Sequence, residues 1–212
     1  MLESLLQDAL ACTRCRLAQT RTQVVFGTGN PRADLMLVGE APGFHEDKQG
    51  LPFVGQAGKL LDRLLADIGL SREDVYIANT LKCRPPGNRD PMPDEIEACE
   101  PFLFRQVELI APKVIATLGN FATKLLSGRA LGITRVHGRE QEVTIGSRRV
   151  LLYPLSPPAA ALYTPSMLAV LEEDFRRIPA LLGRDLAAPR TTRPEERAPT
   201  PVPETAVQLG LF

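Results

Sequence analysis

Cysteine is scarce in this chain: its 212 residues hold four, Cys12, Cys15, Cys83 and Cys99. Net charge is absent as well, 25 basic side chains balancing 25 acidic ones. That balance excludes a polycation, so any contact with nucleic acid must use a local basic face. No apolar run approaches the roughly 18 residues of a membrane span, which excludes a membrane partner of that kind. The opening Met1-Leu-Glu-Ser-Leu-Leu-Gln-Asp-Ala-Leu10 has no basic stretch of the sort that starts a secretory signal, and it reads as a short amphipathic helix. Internal repeats and heptads are missing. The expectation is a cytoplasmic protein, a compartment where disulfides are rare, and the four cysteines therefore read as metal ligands before bridges.

What is present is an ordinary globular composition, 44% hydrophobic and 24% charged, long enough for one domain with a real core. Cys12 and Cys15 form a C-x-x-C step, and Cys83 and Cys99 lie far downstream. Four thiolates converging from three segments describe a metal centre, either an iron–sulfur cluster or tetrahedral zinc. Continuous apolar runs at 34–38, 75–78, 113–118 and 150–153 suit strands buried on both faces. Helical patterns at 57–68, 93–110 and 120–126 separate them, and another at 166–182 closes the domain. This alternation predicts an α/β protein: a three-layer α/β/α sandwich around a central four-stranded, mostly parallel sheet. Residues 140–145 and 148–153 form a hairpin around Gly146-Ser147. The folded domain is expected over 1–183. Residues 184–207, with prolines at 189, 194, 199, 201 and 203, read as a disordered tether.

In open parallel sheets ligands bind at the carboxyl ends of the strands. After the first strand comes Gly39-Glu-Ala-Pro-Gly43, and then Gly50-Leu-Pro-Phe-Val-Gly-Gln-Ala-Gly58, which opens a helix. Glycines there let backbone approach a ligand closely. Neither a phosphate-binding G-K-[ST] step nor a dinucleotide G-x-G-x-x-G fingerprint is present. Asn79 ends the second strand and begins Asn79-Thr-Leu-Lys-Cys-Arg-Pro-Pro-Gly-Asn88. A carboxamide offers a donor and an acceptor in one plane, as reading a base edge requires; the same residue type also caps turns.

Taken together these segments, with Cys99 and Thr117-Leu-Gly119, resemble the family 4 uracil-DNA glycosylases, the iron–sulfur branch of the uracil glycosylase superfamily. The resemblance runs from Cys12 to about Arg177. It implies that Cys12, Cys15, Cys83 and Cys99 hold a [4Fe–4S] cluster that pins the N-terminal helix to the sheet. It implies that uracil stacks on Phe53, presents its pairing edge to Asn79 and meets the backbone of Gly39, Glu40 and Ala41. Ala41 stands where the best-known uracil glycosylases place a catalytic aspartate. Glu46 is then the candidate for holding the attacking water or stabilising the cationic sugar, with Asn88 assisting. The family ends its last strand in His-Pro, the histidine donating to uracil O2. This chain reads Leu155-Ser-Pro-Pro-Ala-Ala-Ala-Leu162, which puts Pro157 at the histidine position. Proline has no donor, and losing one preorganised donor to a developing anion costs about 10²–10³ in rate. A slow enzyme is expected.

The loop of Ser156, Pro158 and Leu162 is expected on the DNA, entering the minor groove or, alternatively, starting a core-packed helix. Lys82, Arg84, Arg89, Arg129, Arg135 and Arg139 are expected to contact phosphates. The final Gln208-Leu-Gly-Leu-Phe212 resembles the peptide by which bacterial repair proteins dock on the sliding clamp, with Gln208, Leu209, Leu211 and Phe212 as anchors. The expected partners are therefore uracil-containing DNA and the clamp, for a nucleoid-associated monomer. Two further readings compete with excision of uracil. One is a damage-recognition module that binds uracil in DNA with little cleavage. The other is an iron–sulfur electron carrier, in which the Gly39–Gly43 and Asn79 segments have no purpose.

Overall fold

The computed structural model describes residues 1–184. The clamp-peptide residues and nearly all of the tether lie outside them. In chain order the strands are β1 (Thr28–Gly29), β2 (Leu35–Gly39), β3 (Tyr76–Asn79), β4 (Val114–Leu118), β5 (Gln141–Ile145) and β6 (Arg148–Leu155). The α-helices are α1 (Leu2–Leu10), α2 (Phe44–Gln49), α3 (Gln56–Asp67), α4 (Pro93–Ile110), α5 (Asn120–Ser127), α6 (Ile133–Val136), α7 (Pro158–Ala161), α8 (Pro165–Arg176) and α9 (Ile178–Leu182). Single 3-10 turns occupy Arg16–Gln19 and Pro86–Asn88.

One six-stranded sheet has the order β1-β3-β2-β4-β6-β5. Its centre, β3-β2-β4-β6, is parallel throughout. This is the four-stranded core expected from the sequence, widened by antiparallel β1 on β3 and β5 on β6. The second of these is the expected hairpin. The first is two residues long and has no hydrophobic pattern to announce it. Alternation along each strand sorts side chains to opposite faces. Leu35, Leu37, Ile77 and Tyr153 pack with Leu61, Leu64 and Phe175 of α3 and α8, whereas Met36, Val38, Ile115 and Leu152 pack with Leu103, Val107 and Ala122 of α4 and α5. Both faces are thereby dry, so the strands read as unbroken apolar runs rather than alternating ones. A third cluster joins Ala9 and Leu17 to Leu81, Cys83, Cys99 and Phe102 and seats α1 beside α4.

The expected last helix is two helices. It breaks at Arg177 because Pro179 lacks an N–H and its ring would press on the carbonyl four residues back. The chain moves from β3 on one side of β2 to β4 on the other. Strand order therefore reverses around β2, and the carboxyl ends of these strands border a crevice suited to a ligand.

Candidate active site

A pocket of about 280 Å³ opens in that crevice. Gly39, Glu40 and Ala41 follow β2, Asn79 ends β3, Leu118 ends β4, and Pro157 follows β6; Glu46 and Phe53 come over from the α2 region. Its size is at the lower end for small-molecule sites and suits one heterocycle. Asn79 is only 2% exposed. Its backbone carbonyl accepts from Lys82 Nζ at 2.8 Å, but among the described residues its side-chain carboxamide has no hydrogen-bond partner and faces the pocket. No side-chain N or O atom of the described residues is both buried and unsatisfied, so the carboxamide is open to the pocket it lines and is free to pair with a ligand there. The residue opposite has to be glycine: a Cβ on Gly39 would lie 2.4 Å from Asn79 Oδ1 and 2.6 Å from Phe53 Cζ. Amide and phenyl ring thus meet over one bare stretch of backbone.

Phe53 is held there at a conformational cost. Its φ of 53° is left-handed, a region that strains a bulky L-residue by on the order of 1–3 kcal/mol. Arg72 holds this backbone in place. It donates from Nη1 to Pro52 O at 3.0 Å and from Nη2 to Phe53 O, while Nε binds Asp62 Oδ1 at 2.6 Å. Gly58 gives the Phe53 carbonyl its room, since a Cβ there would sit 1.8 Å from that oxygen. Sequence reasoning missed Arg72, which lies in the α3–β3 loop and gives no motif signal.

Glu46 lies on the pocket wall. Its Oε1 accepts from the backbone N–H groups of Val54 and Gly55, both at 2.9 Å, which fixes the carboxylate beneath the Phe53 turn. Glu40 is half-buried, and desolvation, with Asp90 adding repulsion, raises its carboxyl pKa. Asn88 is brought elsewhere. It is exposed, outside the pocket lining, and its Oδ1 accepts from Arg84 Nε at 2.7 Å. After β6, Ser156 is buried, Pro157 and Pro158 line the pocket, and α7 begins with Pro158 at its first position. Leu162 at the end of α7 is 38% exposed, and Tyr163 beside it is 86% exposed. The segment is thus a short helix with Pro158 and Ala161 buried against the core and Leu162 and Tyr163 exposed at its end.

Two of the expected phosphate contacts are corrected. Lys82 is 1% exposed, its ammonium donating to Asn79 O and to Gln106 Oε1 at 2.6 Å. Arg89 forks onto the buried Glu95 at 2.9 and 2.5 Å, and Glu95 also accepts the N–H of Met92 at the start of α4. Local motif position cannot distinguish a basic group turned inward from one turned outward. His137 hydrogen-bonds Asp174 at 2.9 Å and takes no part in the pocket.

Cys12, Cys15, Cys83 and Cys99 line a single cavity with Arg14, Arg21 and Lys82. Arg21 Nη1 and Arg14 Nε point at Cys83 and Cys12 sulfur at 3.4 Å, and Lys82 N–H at Cys99 sulfur at 3.2 Å. Such donors suit anionic sulfur. Burial alone drives the thiols the other way, raising Cys83 and pushing Cys99 up to about 11, so the ring favours thiolates only when a cation draws their protons off. Among the described residues no group of three or more His, Cys, Asp or Glu side chains converges as a single-ion site would.

The match to the Uracil DNA glycosylase superfamily spans residues 26–179. The chain is 47% identical to a type-4 uracil-DNA glycosylase of Sulfurisphaera tokodaii, over 84% of this chain and 83% of the relative. It is 46% identical to that of Archaeoglobus fulgidus, over 86% and 94% of the two. Thermotoga maritima has another at 40%, over 87% and 96%. With the pocket at the switch point and the family's motifs around it, this chain belongs to the type-4 uracil-DNA glycosylases of the uracil-DNA glycosylase superfamily.

Proposed function

We propose that this protein excises uracil from DNA by hydrolysing the N-glycosidic bond of a deoxyuridine turned out of the stack. The observation that carries this is the partnerless Asn79 carboxamide facing the pocket beside the Phe53 ring. Uracil stacks on Phe53, accepts from the Asn79 amide at O4 and donates to it from N3–H; cytosine offers the opposite pattern. Stacking contributes roughly 1–3 kcal/mol and is tolerant of base identity, so the carboxamide supplies the discrimination. The bond from uracil N1 to the sugar breaks with its electron pair leaving on the base. A water oxygen bonds to the sugar carbon and releases a proton. Glu46, its Oε1 tied to two backbone N–H groups, keeps Oε2 for that water or for the cationic sugar. Pro157 offers no donor to uracil O2, so turnover is slow by about 10²–10³ relative to a site that keeps one.

The four cysteines fit a [4Fe–4S] cluster better than one zinc ion. This rests on the family to which the chain belongs, and the shared cavity of the four cysteines with N–H donors aimed at their sulfurs suits metal-bound thiolates. Held by Cys12, Cys15, Cys83 and Cys99, the cluster would be structural, fastening α1 and the Cys83–Cys99 excursion beside the carboxyl end of β3, where Asn79 lies. Gln208, Leu209, Leu211 and Phe212 dock on the sliding clamp, and the enzyme works as a nucleoid-associated monomer. Pro157 is also what favours a second reading, a module that recognises uracil in DNA but barely cleaves it.

Incubation with uracil-containing single- and double-stranded oligonucleotides, followed by alkali, separates the two. Strand scission at the uracil position is the expected result. Binding without scission establishes the recognition module, and neither binding nor scission overturns both. Deleting residues 208–212 is expected to abolish clamp pull-down and leave excision intact.

A further inference from the structure

The outer face of α2 has no role in base recognition, and its residues are sorted by charge. Both of its carboxylates are used by backbone donors: Glu46 by Val54 and Gly55, and Asp47, 3% exposed, by the N–H of Thr22 at 2.9 Å. What remains outside is Phe44, His45, Lys48 and Gln49, all exposed. The Lys48 ammonium lies 4.5 Å from the centre of the Phe44 ring, and the Arg84 guanidinium, from the loop after β3, 5.1 Å from it. Among the described residues neither cation has a carboxylate within ion-pair distance, in a chain with as many acids as bases. Arg84 is held in addition by Asn88 at 2.7 Å.

Phe44 is 43% exposed; it and Tyr163 are the exposed aromatic side chains among the described residues. Its neighbours in sequence, Gly43 and Glu46, line the uracil pocket. An exposed phenyl ring that gathers two unpaired cations beside a base pocket is complementary to phosphodiester next to a base, since cation–π attraction fixes each charge without neutralising it.

We propose that Phe44, Lys48 and Arg84 form a phosphate clamp for the backbone of a single DNA strand next to the nucleotide in the pocket. Phe44 is the post that holds the two cations, and Lys48 and Arg84 are the groups that touch phosphate. This rests on the pocket being a uracil site. A grip on backbone reads no sequence, so it leaves discrimination to Asn79 and adds affinity for the strand.

The test measures binding of the full-length protein to a single-stranded oligonucleotide carrying one cleavage-resistant 2′-fluorodeoxyuridine, by fluorescence anisotropy over a salt series. Lys48→Met and Arg84→Met are each expected to reduce the slope of log affinity against log salt by about 0.7, the value of one phosphate on a single strand. Arg84→Lys keeps its charge and is expected to retain the slope. Phe44→Ala leaves both charges and is expected to weaken binding several-fold at low salt. Inhibition by free uracil is expected to be unchanged in Lys48→Met and Phe44→Ala. Slopes equal to wild type in Lys48→Met and in the Lys48→Met/Arg84→Met double variant, with visible absorption and melting temperature retained, overturn the clamp. If the wild-type protein binds no uracil oligonucleotide at all, the uracil site has failed instead, and free uracil will not inhibit.

Discussion

Replacing Gly58 with alanine sets two opposed effects of known size against each other. Gly58 is the third residue of α3, and alanine there favours the helix by roughly 0.5–1 kcal/mol over glycine. By helix propensity alone the variant is a stabilised protein. The new Cβ, however, falls 1.8 Å from Phe53 O and 2.3 Å from Phe53 C, so the carbonyl must retreat by on the order of 1.5–2 Å to reach van der Waals separation. That movement carries it away from Arg72 Nη2 and releases the left-handed turn, which turns the ring off Gly39. Stacking on the base is worth about 1–3 kcal/mol, or roughly 5- to 150-fold in affinity at 1.4 kcal/mol per tenfold. Inhibition by free uracil and single-turnover excision measure that loss, and a thermal melt measures the helix term. The expected outcome is uracil affinity at least fivefold weaker and no gain in melting temperature. A variant that melts higher and binds uracil like wild type refutes the claim that this backbone contact sets the position of Phe53.

Three other substitutions bear on separate parts of the molecule. Pro157→His keeps a backbone that histidine adopts freely, φ −68° and ψ 131°, and restores a donor on the pocket wall; single-turnover excision is expected to rise about 10²–10³-fold, and an unchanged rate refutes the role given to that position. Lys82→Met leaves the Asn79 carbonyl and Gln106 Oε1 buried without their donor. It should cost on the order of 2–4 kcal/mol in urea unfolding with no change in the salt dependence of DNA binding, the reverse of what a phosphate contact gives. The hydrogen bonds from Arg89 hold the Glu95 carboxyl below its ordinary value of 4.5, so folding favours the ionised form. The associated stability is complete above pH 4.5 and is lost as pH falls from there toward the lowered folded value. Glu95→Gln is expected to flatten unfolding free energy against pH in that window; an unaltered profile removes Glu95 from the acid response.

Hydrophobic runs and helical periods in the chain define the layers, because a strand dry on both faces has to be apolar at every position and a helix on one face only. The bounds of α4 are legible to the residue: Pro93 suits a first turn that needs no N–H, and the apolar period ends at Ile110. Weaker elements escape such a reading. β1 is two residues of edge pairing, and α2 is a charged hexapeptide whose carboxylates are stabilised from outside the helix. For the site, the Gly39 segment, Phe53 and Asn79 stand out as motifs and line one pocket, and Glu46 lies on its wall. Asn88, Lys82 and Arg89 come from equally prominent motifs and are turned elsewhere, toward Arg84, Gln106 and Glu95.

Composition and order along the chain therefore decided which segments become strands and helices, that their carboxyl ends would meet, and which side chains have the chemistry to read a base. Tertiary structure decided which way each of those side chains points. A basic group in a loop beside the pocket is a phosphate contact or a buried strut depending on the carboxylates and carbonyls that the fold brings to it. Arg72 pins Phe53 across nineteen positions, and Glu95 withdraws Arg89. Desolvation and hydrogen bonding act through space, so no local pattern records their outcome.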